Sequence, residues 1–382
     1  MISIIADHII SPLGTTTEEN FLAVVEGRSM LQRHEGIWVL PDPFVASLFT
    51  EKQWEQFSIA AEGYTRFERL AIACIDKVVE KAGIDIASGR VAIVFSSTKG
   101  DIELLPQVKP LGESAARIAE YFHAANHPYV VSNACISGLA AQIMAKRLLQ
   151  SGAYDYAVVC GVEVQSKFIV SGFQSLKAMS AAECRPFDID RNGLNVGEAA
   201  AAMVMKREEG QPEAETWYAL DGVIRNDAFH ISSPSRTAEG AYNALASVLR
   251  TAEEVVGGGI PQRLALVNVH GTSTLYNDEM ESVAISRAGL SEVPINTFKG
   301  HYGHTMGAAG LLEVILSMRS IDRHMVVGTR GFQEMGVSRK VNISADNRTT
   351  DKNMFIKLIS GFGGCDAAML FAKGKETIVK QA

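Results

Sequence analysis

An α/β fold is the class this 382-residue sequence predicts. Two observations carry it: short apolar runs alternate with longer segments of helical periodicity, and several of the helical segments are bounded by Gly or Pro. That alternation belongs to β-α-β layering rather than to a helix bundle or a sandwich. The first clear helix is Arg66 to Lys81, where Phe67, Leu70, Ile75 and Val78 return at helical spacing and Gly83 follows. Val91-Ala92-Ile93-Val94-Phe95 is a continuous apolar run of strand length. Tyr129-Val130-Val131-Ser132 reads as a strand-like run that leads into a helical segment from Ile136 to Gln150, with apolar Leu139, Ile143 and Leu148. Tyr156-Ala157-Val158-Val159-Cys160 is the next strand, and the charged stretch Arg207 to Glu215 reads as a junction. A helix from Ala241 to Val256, a Gly-rich loop from Gly257 to Pro261 and a strand at Ala265-Leu266-Val267-Asn268-Val269 follow. The series closes with a helix from Gly307 to Ile321, a strand at Met354-Phe355-Ile356-Lys357-Leu358 and a tight turn at Gly361-Phe362-Gly363-Gly364.

Composition narrows the function classes. A chain of this length with 47% hydrophobic residues buries one large core or two fused halves, and no low-complexity segment or repeat stands out by eye. The start, Met1-Ile2-Ser3-Ile4-Ile5-Ala6-Asp7-His8, lacks the basic residues and long apolar run of a signal peptide, and no later run is long enough to span a bilayer. The expectation is a soluble, cytoplasmic protein with no membrane association. A net charge of −7 disfavours nucleic acid as a partner, and requires any acidic partner protein to dock on a local basic patch. Arg66 and Arg69 are candidates for that patch. Cys74, Cys135, Cys160, Cys184 and Cys365 are too few, too scattered and odd in number for a disulfide framework, and they form no CxxC pair.

Cys135, within Ser132-Asn133-Ala134-Cys135-Ile136-Ser137-Gly138, sits where a strand-like run meets a helix. A thiol there feels the positive end of the helix dipole, which lowers its pKa and favours the nucleophilic thiolate. His270, in His270-Gly271-Thr272-Ser273-Thr274, directly follows a strand, at the carboxyl end where α/β folds place their sites. His304 lies in Lys299-Gly300-His301-Tyr302-Gly303-His304-Thr305-Met306-Gly307-Ala308-Ala309-Gly310, where Gly303, Gly307 and Gly310 permit close backbone approach. His301, His304 and His270 raise a metal reading, but HExxH, a Cys-His ligand cluster and an adjacent carboxylate are all missing. No metal or other cofactor is expected. A serine hydrolase is disfavoured because G-x-S-x-G does not occur. Asp278 and Glu281 fall on a polar helix start and read as helix N-terminal stabilisers.

Taken in order, these motifs resemble the β-ketoacyl-acyl carrier protein synthases, the condensing enzymes of fatty acid and polyketide assembly, over nearly the whole chain. The resemblance implies a thiolase-like fold, five layers (αβαβα) built from two duplicated halves, and usually a homodimer. Residues 1–214 would form the half carrying the nucleophile and 215–382 the half carrying the histidines. Cys135 matches the family's nucleophile, and His270 and His304 match the paired histidines that polarise the malonyl thioester. Lys299 and Glu313 match their supporting charges, and Phe362 the gate beside Cys135. The backbone N–H groups of Cys135 and Phe362 would form the oxyanion hole. Acidic residues at the Asp278 and Glu281 spacings also occur in the family. The Cys184-Arg185-Pro186-Phe187-Asp188 stretch, then Asp190-Arg191-Asn192-Gly193 and Gly197-Glu198, match positions that read as structural. Phe173 and Ser180 match a segment that lines the dimer contact and acyl pocket.

The implied reaction is a decarboxylative Claisen condensation of a Cys-bound acyl group with malonyl-acyl carrier protein, in fatty acid or in specialised polyketide or polyene synthesis. The implied partners are acyl- and malonyl-loaded carrier protein and a second subunit, identical or related. The alternative is a non-catalytic or weakly active, chain-length-factor-like partner of a condensing heterodimer, although such partners typically lack the nucleophile. Three features depart from the family pattern: Cys365-Asp366 stands where Thr-Asn is usual, Ser360 replaces a second phenylalanine, and the segment from Asp101 to Tyr129 is short. Cys365 also invites comparison with thiolases, whose second cysteine acts as an acid–base; the two-histidine pattern favours the synthase.

Overall fold

Strands Ile2–Ile10, Ala199–Arg207, Tyr156–Glu163, Val91–Ser96 and Tyr129–Val131 lie side by side in that order in a computed structural model that describes residues 1–57, 63–102, 111–230 and 233–377. The first two junctions are antiparallel and the last two parallel. The second half repeats this plan. Trp217–Asn226, Cys365–Lys373, Met354–Gly361, Leu266–Asn268 and Pro294–Asn296 follow with two antiparallel and then two parallel junctions. Ser3 pairs with Tyr218 and Ile4 with Trp217, which joins the halves, and Asn342–Ile343 adds an edge strand.

Helices supply the remaining layers. Ser137–Gln150 and Ala309–Asp322 pack on each other between strands of both halves. Arg66–Ala82 and Leu111–Tyr121 cover the outer face of the first half, and Glu239–Val256 and Leu275–Arg287 that of the second. The hydrophobic core divides accordingly, with a central cluster around Leu139, Ile143, Leu312 and Ile315 and an outer cluster on each side. This is the thiolase-like αβαβα arrangement of two duplicated halves. Val91–Ser96 is covered on both faces and buried at every position, which is why five of its six residues are apolar. Glycine sets the closeness of the two central helices. A Cβ on Gly310 would lie 2.4 Å from the Leu139 nitrogen, and one on Gly138 would lie 2.8 Å from the Gly307 oxygen.

The expected elements form close to their expected bounds, with two differences. After Gly257–Gly259 the chain does not stay in a loop: Ile260–Arg263 is a short helix with Pro261 in its first turn, where a missing N–H costs nothing. Gly307 lies in a 3-10 turn, Met306–Ala308, and the α-helix starts only at Ala309. Residues 103–110 of the short segment between Asp101 and Tyr129 lie outside the described residues. No described helix is long and apolar enough to cross a membrane.

Candidate active site

Cys135 stands in a tight elbow between strand Tyr129–Val131 and helix Ser137–Gln150. Ala134 before it takes a φ of 44°, in the left-handed region, and the Ser137 hydroxyl ties the turn by accepting from the Asn133 N–H at 2.8 Å and donating to the Ala134 oxygen at 2.6 Å. The elbow thus spends backbone strain on holding one side chain. Cys135 lies on a cavity of about 270 Å³ that His270, His304, Phe173, Phe362 and Asp366 also line.

His270 follows strand Leu266–Asn268, and His304 follows the short helix Lys299–Tyr302. The two imidazoles meet at 4.9 Å between ring centres with their planes at 80°. The Cys135 sulfur and one nitrogen from each ring all lie within 4.8 Å of one another. The Met306 N–H donates to His304 Nδ1 at 3.2 Å, so a neutral ring carries its proton on Nε2, which is buried without a partner among the described residues. His304 therefore presents an N–H donor to any oxygen that enters. Both histidines are held well below the usual imidazole range, first by burial and then by the Lys299 and Lys357 charges.

Two buried carboxylates hold the His270 loop. Glu281 accepts the N–H groups of His270 at 2.6 Å and Gly271 at 2.7 Å, while Asp278 accepts those of Thr272, Ser273 and Phe187 at 3.0, 3.1 and 2.8 Å. Asp278 does fall in the first turn of helix Leu275–Arg287, as expected of a helix N-terminal stabiliser, but the role of the two acids reaches beyond that helix. Both are fully buried, and they act on the loop that carries His270 and on the Phe187 turn. Burial raises both carboxyls above their ordinary values, Glu281 to about 7.

Behind His304, Glu313 bridges two ammonium groups, Lys299 at 2.7 Å and Lys357 at 2.5 Å. Lys357 also donates to Asn268 Oδ1 at 2.7 Å and to the Val269 oxygen at 3.2 Å. On the other side, Glu163 pairs with Lys99, and it accepts the Gly307 N–H at 2.9 Å and the Thr98 N–H at 3.0 Å. The Cys135 thiol itself is pushed up to about 12, by burial above all, while Lys299 and the Phe362 N–H pull it down. The expectation of a lowered thiol pKa is therefore corrected: burial raises it.

The structure brings together Cys135, His270, His304, Lys299, Glu313 and Phe362. It leaves His301 outside the group: its Nδ1 meets the Arg28 oxygen at 2.7 Å, so the sequence-level metal trio does not assemble. Arg66 is engaged with Glu51 and lies over the Trp54 ring at 5.3 Å. Asp188 accepts the backbone N–H groups of Gln333 at 2.7 Å and Glu334 at 2.9 Å. Glu198, also buried, accepts those of Phe49 at 2.8 Å and Gln165 at 2.9 Å. Phe173 packs 5.7 Å from Phe362, between ring centres, whereas Ser180 is not part of the cavity wall. The departures are accommodated by new contacts: Ser360 donates to Asp366 Oδ1 at 2.5 Å, and the Cys365 thiol to the Phe362 oxygen at 3.4 Å. Sequence reasoning missed Lys357, Asn268, Glu163 and Lys99. A signal existed for two of them, since Lys357 and Glu163 are lone charges in otherwise apolar strands.

Residues 1–211 match the model of the β-ketoacyl synthase N-terminal domain, and residues 220–333 that of its C-terminal domain. The 3-oxoacyl-[acyl-carrier-protein] synthase 2 of Vibrio cholerae is 25% identical over 408 residues, covering 96% of this chain and 97% of that one. The ketoacyl synthase alpha subunit of the tetracenomycin polyketide synthase from Streptomyces glaucescens is 30% identical, covering 65% of this chain and 60% of that one. A ketosynthase from Xenorhabdus doucetiae, solved in complex with its chain length factor, superposes with a TM-score of 0.82 at 23% identity, covering 97% of this chain and 98% of that one.

Proposed function

Because this chain belongs to the β-ketoacyl synthase family, we propose that it is a 3-oxoacyl-[acyl-carrier-protein] synthase in which Cys135 carries the acyl group and His270 and His304 activate the malonyl extender. The observation that carries the residue assignment is the convergence of one thiol and two neutral imidazoles within 4.8 Å on one cavity wall.

The mechanism follows from the charge states. Cys135 enters as a thiol, so its proton moves to a neighbouring neutral imidazole as the sulfur attacks an acyl thioester. Negative charge then develops on the thioester oxygen, opposite the N–H groups of Cys135 and Phe362. Collapse expels the carrier thiol, which takes the proton back, and leaves the acyl group on Cys135. A malonyl thioester follows. His304 Nε2–H, with His270 beside it, donates to its carbonyl oxygen, and loss of CO₂ leaves an enolate that attacks the Cys135 thioester. The new carbon–carbon bond forms as the Cys135 sulfur leaves. A second proton on His304 would sit on Nδ1 against the Met306 N–H and disturb the aim of the ring, and a protonated ring could not take the Cys135 proton, so both steps call for rings that start neutral, the state that burial and the two lysines favour.

The proposed partners are acyl- and malonyl-loaded carrier protein and a second thiolase-fold subunit, identical or related. A complete Cys-His-His group favours the catalytic role over that of a non-catalytic partner. Intact-protein mass spectrometry tests this. Wild type is expected to take an acyl adduct from short, medium or aromatic acyl thioesters and to discharge it as a β-ketoacyl product on addition of malonyl-carrier protein, while Cys135→Ala takes none. A wild type that takes no adduct from any donor would overturn the assignment.

A further inference from the structure

Lys357 belongs to none of the motifs that mark the site, yet it is completely buried in the middle of strand Met354–Gly361. An ammonium group has three N–H donors, and Lys357 uses all of them: Glu313 Oε2 at 2.5 Å, Asn268 Oδ1 at 2.7 Å and the Val269 oxygen at 3.2 Å. Two of these acceptors lie on the segment that leads into His270. The third is the carboxylate that Lys299 also uses, through Oε1 at 2.7 Å. A buried charge is tolerated where it is fully hydrogen-bonded and paired, and this one is built to be retained.

The charges do not cancel. Lys299 and Lys357 share the single carboxylate of Glu313, so the group behind the two imidazoles carries a net positive charge. The titratable and charged groups around Lys357 are Glu313 on helix Ala309–Asp322, Lys299 on Lys299–Tyr302 and Glu281 on Leu275–Arg287. Those acting on the imidazoles are Lys299, Lys357 and, for His270, His304.

We propose that Lys357 is a positioning residue of the condensing site: a second ammonium anchored on Glu313 that braces the His270 strand and keeps an uncompensated positive charge behind both imidazoles, so that they remain neutral N–H donors to the malonyl oxygen. This rests on the condensing-enzyme reading above. Burial lowers Lys357 to about 8, against the opposing pull of Glu313, which leaves it charged at neutral pH. Its charge lowers both histidines, in the same direction as that of Lys299. Without Lys357 the remaining Lys299–Glu313 pair is neutral overall, and each imidazole gains a proton more readily as the pH falls.

The test is the pH profile of malonyl-carrier protein decarboxylation in wild type, Lys357→Met and Lys357→Gln, the last of which keeps an N–H but no charge. Thermal melting is recorded beside it to confirm that each variant is folded. In both variants the acid limb is expected to move to higher pH by at least about half a pH unit. A lower rate with an unmoved acid limb would assign Lys357 a purely structural role and overturn the proposal. Should neither variant fold, ring-nitrogen NMR of the wild type decides. Both imidazoles are expected to stay neutral well below the ordinary imidazole value of about 6.5, and a midpoint for either ring near that value would overturn the proposal. A wild type that decarboxylates no malonyl thioester would remove the condensing-enzyme reading and this inference with it, whereas an active wild type with unshifted variants would remove only the inference.

Discussion

Asp366 is the change in this site whose consequence for stability can be worked out most directly. It is 4% exposed, accepts a hydrogen bond from Ser360, and shares the cavity wall with Asp227. Burial lifts its carboxyl from 3.8 to about 7; the Ser360 hydrogen bond opposes this and the Asp227 charge adds to it. A folded-state pKa raised above the unfolded value means that the contribution to stability is fully present below pH 3.8 and is lost as the pH climbs to about 7. Raising 3.8 to about 7, at about 1.36 kcal/mol per pH unit, gives a penalty of about 4 kcal/mol once Asp366 is ionised. Asp366→Asn removes the titration and keeps a side-chain oxygen for Ser360. Urea denaturation of both proteins between about pH 5 and pH 8.5 is the assay. The variant is expected to gain on wild type by about 1.4 kcal/mol per pH unit up to pH 7 and to hold a constant lead above it. A difference that does not change with pH would refute the reasoning, because it would show that Asp366 titrates alike in the folded and unfolded chains.

Glu281→Gln leaves the His270 or the Gly271 N–H without an acceptor. Displacement of the His270 ring is expected to lower condensation about ten- to a hundredfold, to be read from steady-state rates. Gly310→Ala drives a methyl to 2.4 Å from the Leu139 nitrogen; a loss of about 1–3 kcal/mol is expected in denaturant, and unchanged stability would show that the central helices can spread. A Cys135 thiol at about 12 reacts through a scarce thiolate. Its alkylation by iodoacetamide, followed by peptide mapping, is therefore expected to rise about tenfold per pH unit from pH 6 to 9, and a plateau below pH 8 would restore the helix dipole as the dominant influence.

The α/β class, the strand and helix positions and the candidate site residues that the fold gathers were legible because each rests on local chemistry or on a motif. Apolar runs of strand length, glycines at helix ends and a cysteine at a strand–helix junction are properties of neighbouring residues. The duplication was not legible in periodicity and entered only through the family resemblance. It lies in the order and direction of strand pairing, and the equivalent strands Val91–Ser96 and Leu266–Asn268 share that place in the plan without sharing a sequence signature. The charge state of Cys135 was misjudged for a related reason. The helix N-terminus is visible in sequence, but the depth of burial that overrides it is a sum over both halves of the fold.

The same distinction separates Asp278 and Glu281 from Lys357. On their own helix, the two acids look like N-terminal decoration, and only the return of the chain over them turns their oxygens into acceptors for the His270 loop. Lys357 was the converse case, a conflict visible in one dimension. Flanked by Ile356 and Leu358 in a strand that must be covered on both faces, a lysine is expensive unless a carboxylate awaits it. The nearest acid that can serve lies on helix Ala309–Asp322, already committed to Lys299. A chain that brings a second buried cation to an occupied carboxylate, rather than leaving an apolar residue there, leaves positive charge uncompensated, and the groups next to it are the two imidazoles that the proposed mechanism needs neutral at the outset.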